Sequence, residues 1–560
     1  MTAARADGPH TAPHRGGLAR LAVLALLCLA MFLPGLAALP PTDRDESRFA
    51  QASRQMVESG DYVDIRFQDV PRHKKPIGIY WLQAAAVELT GEGASAPIWV
   101  YRLPSMLGIL GAVLLLHGIG RRFAGEDVAF GAAALLAAAL VCNIEARLAK
   151  TDAMLLFATL GALIAFGRIY LAAVAGRLSG WGMSLLAWAF VGLGVLIKGP
   201  ITPLVGALAV VTLLIADRGQ GHNRLFLRAL RILPGLGLVV LMAAPWLIAI
   251  TLRTQGAFFS DSVGGDLVPK LLGGEESHGA PPGYYFLTMT GMLWPGAVLV
   301  GLGLPWAFAM RRRPWVRFCL AWAVPGFLLF ELVPTKLPHY TMPYFPALLL
   351  IGVGAALDGF RPESRLGRIW RLLVLVAFGA VGAVLSLGLA GLEWHFAGGP
   401  GVAGIAVAIA GLAATAAALV LLTRGATARA IMVMVVGALA LYGTAFSAIL
   451  PGASALWPGR ALAAEMERAG VMDAPALAVV GYAEPSLVFL TRTDMNSVGA
   501  AEAASLIRDV RGAVVLVEER EREGFDAAIG AVAVEELGRV TGFNVSRGKP
   551  VDIAILRRAP

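Results

Sequence analysis

The sequence predicts an all-α polytopic membrane protein of about thirteen spans, with a small α/β domain at its C-terminal end. Three observations lead there. Of the 560 residues, 57% are hydrophobic and only 15% are charged, against roughly 25% charged in an ordinary soluble domain. The apolar residues also gather in runs of about 20, each long enough to cross a hydrocarbon core of roughly 30 Å as a helix. A mean hydropathy of +0.69 excludes a soluble or disordered chain, and runs this long exclude a β-barrel.

The first run, 18–39, follows Arg5 and Arg15, carries Arg20 near its start and ends in LAALPP. It exceeds the roughly 7 to 15 residues of a signal-peptide core, so it reads as an uncleaved span after a cytoplasmic tail, 1–17. Further runs fall at 98–120, 127–144, 152–173, 181–197, 200–216, 232–252, 285–310, 315–333, 340–357, 370–391, 402–422 and 429–450, which places the membrane domain at 18–455. Even-numbered spans exit into short basic loops such as RRFAGED, RRRPWVR and TRGATAR, whereas EWHFAGGP and PTKLPHY carry at most one Lys. Basic loops mark the cytoplasmic side. The net charge of +9 is therefore a topology signal, and no nucleic-acid partner is expected. An odd number of spans puts the tail on the outer side, which in a Gram-negative bacterium is the periplasm. Cys28, Cys142 and Cys319 lie inside apolar stretches and read as packing residues.

Three segments outside the spans are large. The first outer loop, 40–97, holds two amphipathic stretches, DESRFAQASRQMVESGD and KPIGIYWLQAAAVELTG, expected as helices in the membrane interface. The second, 253–284, is punctuated by Gly and Pro. In the third, 456–560, strand-length runs (ALAVVGY, GAVVLVEE, VDIAILRR) alternate with helical stretches, as in a small α/β domain.

The chemistry-bearing residues sit at the outer ends of spans. Asp45 and Glu46 form an acidic pair just after the first span, Lys75 opens the second amphipathic stretch beside Pro76, Asp152 starts the fourth span, and Lys198 lies between two apolar runs. Lys336 shares a short loop with Tyr340. Snorkelling to lipid phosphate accounts for any one of these lysines. Three on one face beside carboxylates suit a site that holds a lipid-linked phosphate while a carboxylate handles the reacting group. His278 reads as ligand, acid/base group or loop histidine. No metal-ligand spacing is present, so no cofactor is assigned, a divalent cation being the one candidate. Walker, Rossmann and His-Glu-x-x-His patterns are absent.

The stretch DESRFAQASRQMVESGDYVDIRFQDVPRHKKPIGIYWLQA, with KTDAMLLF, LIKGPITP, HGAPPGYYF and TKLPHYTMPYFP in order over about 43–350, resembles the bacterial type C glycosyltransferases related to protein O-mannosyltransferases. The nearest pattern is that of the lipid A aminoarabinose transferases. The resemblance implies thirteen spans with an outer C-terminal domain, and inverting transfer of a sugar from an undecaprenyl-type phosphate to lipid A, lipopolysaccharide or another outer-face acceptor. It makes Asp45, flanked by Glu46, the catalytic carboxylate. It assigns Arg48, Lys75, Lys198, Lys336 and Tyr340 to the donor phosphate, and Asp152, His278 and Lys270 to the cavity. Arg72, His73 and Lys74 depart from the aminoarabinose pattern, which has Tyr-Phe-Glu there. A lysine in place of that Glu argues for a neutral or acidic sugar. A protein O-mannosyltransferase-like enzyme is the alternative within the class. A flippase of lipid-linked sugars is the alternative outside it, and would carry ionisable groups at mid-span and related halves.

Overall fold

The computed structural model describes residues 15–269, 279–399 and 401–559. Among these, nine helices are long and apolar enough to cross a membrane, and three shorter apolar helices, Gly17–Phe32, Ile201–Ala216 and Ala297–Ala309, accompany them. The chain is a multi-pass membrane protein. On the long helix Arg365–Phe396 the side chains of Leu366, Leu372, Val376 and Val384 are exposed from protein, as a lipid-facing surface requires.

Two expected spans are broken. The run 127–144 forms the helices Glu126–Ala137 and Leu140–Glu145, and 285–310 forms Tyr284–Met292 and Ala297–Ala309. In the second, Pro295 falls in the break, where it offers no N–H to continue the helical ladder. Protein groups satisfy the breaks. Leu140 N–H donates to the Trp294 carbonyl at 3.1 Å, and the buried Asn143 Nδ2 donates to the carbonyls of Ala137 and Ala139 at 2.9 and 3.0 Å. Irregular backbone is tolerated at this depth because protein groups replace the missing helical partners.

The large loop 40–97 folds as the helix Asp45–Ser59, a two-stranded ribbon of β1 (Arg66–Phe67) and β2 (Val70–Pro71), and the helix Gly78–Thr90. The first helix was expected in the membrane interface, and the structure gives its amphipathic character another use. Phe49, Ala52 and Met56 pack with Ile77, Tyr80 and Trp246. On its other side Gln51 Nε2 donates to Thr493 Oγ1 at 2.8 Å and Arg54 Nη1 to Phe489 O at 3.1 Å, both in the C-terminal domain. Protein covers this helix where lipid was anticipated.

That domain is a five-stranded sheet of β3 (Leu477–Val480), β4 (Asn496–Ser497), β5 (Val514–Glu518), β6 (Val534–Asn544) and β7 (Lys549–Arg558), in the order β4-β3-β5-β7-β6. β3 runs parallel to β4 and β5, while β7 is antiparallel to β5 and β6. Val514 and Leu516 enter one apolar layer with Leu462 and Leu487, and Val515 and Val517 enter another with Ile507 and Phe525. A strand buried on both faces has to be apolar at every position, which explains the unbroken run VVLV.

Two buried arginines fasten the loops beneath the site. Arg102 donates to the carbonyls of Leu36, Leu39 and Pro40 at 2.7 to 3.0 Å. Arg147 donates to Pro34 O at 2.8 Å and to Met31 O, and stacks over Phe446 at 4.2 Å. Each guanidinium consumes carbonyls that non-helical backbone would leave unpaired.

Candidate functional site

A cavity of about 620 Å³ opens where the first outer loop, the ends of several membrane helices and the C-terminal domain meet. Its composition is divided. Ile201, Leu204, Leu329, Phe330 and Val333, from membrane helices and their ends, make an apolar wall, while the first loop and the 148–152 turn supply charge. Among the described lining residues seven are Lys or Arg and five are Asp or Glu, an excess that suits an anionic ligand.

Local backbone sets each charge in place. Gly199, at φ 64°, ends the helix Trp181–Lys198 in a conformation that favours glycine, and leaves Lys198 at the rim. Lys198 Nζ lies 2.6 Å from Asp152 Oδ1 and 5.2 Å from the centre of the Tyr340 ring. Lys150 Nζ is 2.9 Å from Glu145 Oε1 and 3.8 Å from Asp152 Oδ2. His339 Nε2 approaches Asp152 Oδ1 at 3.7 Å. Across the cavity Lys75 Nζ meets Asp266 Oδ2 at 2.5 Å.

Asp45 starts its helix with its side chain 60% exposed toward the cavity, and Arg72 Nη2 is 3.9 Å from its Oδ1. Burial alone would raise the Asp45 carboxyl, but Lys150 and Arg72 outweigh it and hold the group below the ordinary carboxylate range. Burial would likewise lower the Lys150 ammonium, and Glu145 and Asp152 reverse this, keeping it above the usual lysine range. The site therefore combines an ionised carboxylate with several persistent cations at an apolar wall.

Of the residues expected from sequence, Asp45, Glu46, Arg48, Lys75, Asp152, Lys198 and Tyr340 all line this cavity. Two need correction. Lys336 is buried and donates to Ala280 O at 2.9 Å and Val333 O at 2.6 Å, so it ties one outer loop to another and is not among the lining residues. Glu46, expected as a catalytic partner of Asp45, is only 2% exposed. It accepts from Arg102 at 2.8 and 3.1 Å, from Thr42 N and Oγ1 at 2.8 and 2.9 Å, and from Ala149 N at 3.0 Å. Five donors leave that carboxylate engaged in holding the loop. His278 and Lys270 lie outside the described residues.

Sequence reasoning passed over Lys150, Arg72, His339 and Asp266 as members of one charged network. The signal for Lys150 was its place two residues before Asp152 in KTDAMLLF. His73 is structural, with ring nitrogens 3.0 Å from both Asp64 and Asp261. No group of three metal-ligating side chains converges among the described residues.

Comparison with known proteins gives the frame for this geometry. The family model for dolichyl-phosphate-mannose-protein mannosyltransferase matches residues 74–248, a stretch that carries Lys75, Lys150, Asp152 and Lys198. Over 97% of its length the chain superposes on 98% of ArnT from Cupriavidus metallidurans bound to undecaprenyl phosphate, with a TM-score of 0.73 at 22% identity. It has the type C glycosyltransferase fold. The type C fold also relates it, more distantly, to the apo oligosaccharyltransferase of Archaeoglobus fulgidus, with a TM-score of 0.51 at 13% identity over 93% of this chain and 69% of that one. By sequence it is 27% identical over 313 residues to the undecaprenyl phosphate-alpha-4-amino-4-deoxy-L-arabinose arabinosyl transferase 1 of Pseudomonas fluorescens, covering 55% of this chain and 54% of the relative. It is also 27% identical over 384 residues to the corresponding Edwardsiella ictaluri transferase, covering 68% and 66%. The matched region thus spans a little over half to about two thirds of these relatives' lengths.

Proposed function

We propose that this protein transfers a sugar from a polyprenyl phosphate, of the undecaprenyl type, to lipid A or another glycolipid acceptor at the periplasmic face of the bacterial inner membrane. The observation that carries this reading is one cavity in which an apolar wall of membrane helices meets Lys75, Lys150 and Lys198 beside the ionised Asp45. The prenyl chain lies along Ile201, Leu204 and Leu329, and the phosphate sits among the lysines. An acceptor oxygen attacks the anomeric carbon as the bond to the phosphate oxygen breaks, the electron pair leaving with the polyprenyl phosphate and the anomeric configuration inverting. Preorganised cations facing that growing charge contribute several kcal/mol at a partly dry site, on the order of 10² to 10³ in rate. Asp45 takes the proton of a hydroxyl acceptor. For a phosphate acceptor, already anionic, it orients the donor and stabilises positive charge at the anomeric carbon.

The same cavity bears on the sugar. The side chains of Arg48 and Lys74 line it without a hydrogen bond or ion pair among the described residues. Lys74, and Arg48 although it also acts electrostatically on Asp45, add positive charge that opposes a cationic amino sugar such as the one named in the relatives and favours a neutral or acidic sugar. The test compares wild type with Asp45→Asn and Lys74→Glu in membranes supplied with radiolabelled polyprenyl-phosphate sugars. Transfer by wild type and its loss in Asp45→Asn support the reading, and Lys74→Glu should shift preference toward an aminoarabinosyl donor. Transfer unchanged in Asp45→Asn would remove the role given to that carboxylate, and wild-type use of the aminoarabinosyl donor alone would remove the sugar assignment.

A further inference from the structure

The C-terminal domain reaches the cavity through one element, the turn joining β6 to β7. Ser546 in that turn is the single described lining residue beyond Pro343. Arg44 Nη2 donates to its carbonyl at 2.8 Å. Arg44 immediately precedes Asp45 and has φ 63°, a left-handed conformation that side chains rarely adopt, so something outside the loop has to hold it. The turn is itself anchored at its shoulder. Asn544, 2% exposed, donates Nδ2 to Glu484 Oε1 at 2.9 Å, and its Oδ1 accepts the Arg547 N–H at 3.0 Å. Phe543 packs on Phe396 of a membrane helix with ring centroids 5.7 Å apart. What remains is a braced finger at the cavity rim with Val545 62% exposed at its tip.

We propose that this turn, 544–549, is the acceptor-side wall of the cavity: its tip contacts the acceptor, and its Ser546 carbonyl, through Arg44, positions Asp45. The apolar wall that suits a prenyl chain is built from the membrane helices, and the lysines that suit its phosphate come from the first loop and the helix ends. The turn offers neither a lipid-length apolar wall nor a lining cation, which leaves it the incoming partner. An anchored, partly apolar finger adds specificity because its contact surface is ordered before the ligand arrives. The proposal rests on the transferase reading above.

The test uses the full-length protein in lipid nanodiscs, a panel of radiolabelled polyprenyl-phosphate sugars as donors, lipid A in defined vesicles as acceptor probe, and undecaprenyl phosphate as binding probe. Val545→Gly/Ser546→Gly strips the tip while keeping the turn length, and should raise acceptor KM about tenfold with undecaprenyl phosphate affinity within twofold of wild type. Arg44→Ala should lower kcat about tenfold while undecaprenyl phosphate affinity falls by no more than about threefold, and Arg44→Lys, which can still reach a carbonyl, should recover part of the kcat loss. A merely structural role would depress all parameters together and show no rescue. Transfer by the wild type with unaltered acceptor KM in the tip variant overturns the proposal alone. Absence of transfer by the wild type, with undecaprenyl phosphate bound, overturns the transferase reading and this proposal with it.

Discussion

Glu46 beside Asp45 offers a direct way to separate architecture from chemistry. Replacing Glu46 by alanine removes the acceptor of five hydrogen bonds and leaves Arg102, 0% exposed, with carbonyls alone for partners. Removing one partner of a buried ion pair costs about 3–5 kcal/mol, because the surviving charge cannot return to water. At about 1.4 kcal/mol per decade, that is roughly two to three and a half decades in the equilibrium that keeps the 36–46 loop and the 149 turn docked. The expected result is a marked drop in thermal midpoint and rapid proteolysis within the first outer loop, with loss of polyprenyl-phosphate binding as a consequence. Glu46→Gln, which keeps the size and part of the bonding, should lie between. Thermal unfolding by intrinsic fluorescence in one detergent, with limited proteolysis alongside, measures both. A Glu46→Gln protein with a wild-type midpoint, wild-type donor binding and no transfer would refute this assignment and return Glu46 to the reaction itself.

Three other outcomes follow from the geometry. Lys198→Met leaves Asp152 to Lys150 at 3.8 Å and His339 at 3.7 Å, so undecaprenyl phosphate affinity should fall about tenfold and lose part of its salt dependence; titration at two ionic strengths checks this. Asp43 is pushed up to about 6 by burial and by Glu484 against the bonding of Ser486. A carboxyl whose folded value is raised binds its proton more tightly in the native state, so it costs stability above about 6 and returns it as pH falls from there toward 3.8. Asp43→Asn should then raise the thermal midpoint at pH 8 and lose that advantage as the buffer is acidified, and equal gains at every pH would contradict the linkage. Asn143→Ala strips the donor shared by Ala137 and Ala139 and should cost about 1–3 kcal/mol; an unchanged thermal midpoint would show that these carbonyls find other partners.

The sequence by itself determined the membrane character, the apolar runs that fold as helices, the α/β nature of the tail and most of the charged residues that line the cavity. These are local properties: a run of about 20 apolar residues needs no distant partner to demand a membrane. The site motifs were legible for a related reason, since charge at a span end faces the interface whatever the neighbouring helices do. Which way each charge points was decided only by tertiary structure. Asp45 and Glu46 are adjacent, yet successive residues on a helix differ by about 100° in direction, and packing sent one toward the cavity and the other onto Arg102. Lys336 and Tyr340 share one short loop, and carbonyls of neighbouring loops captured the lysine while the ring turned to Lys198. The convergence of the Lys150–Asp152 turn with Lys198 and His339, distant from it in chain order, required the helices to assemble. So did the contact between the Ser546 turn and Arg44, which joins residues separated by 502 positions. Local patterns encode what a segment is made for, and only packing between segments decides which side chains meet.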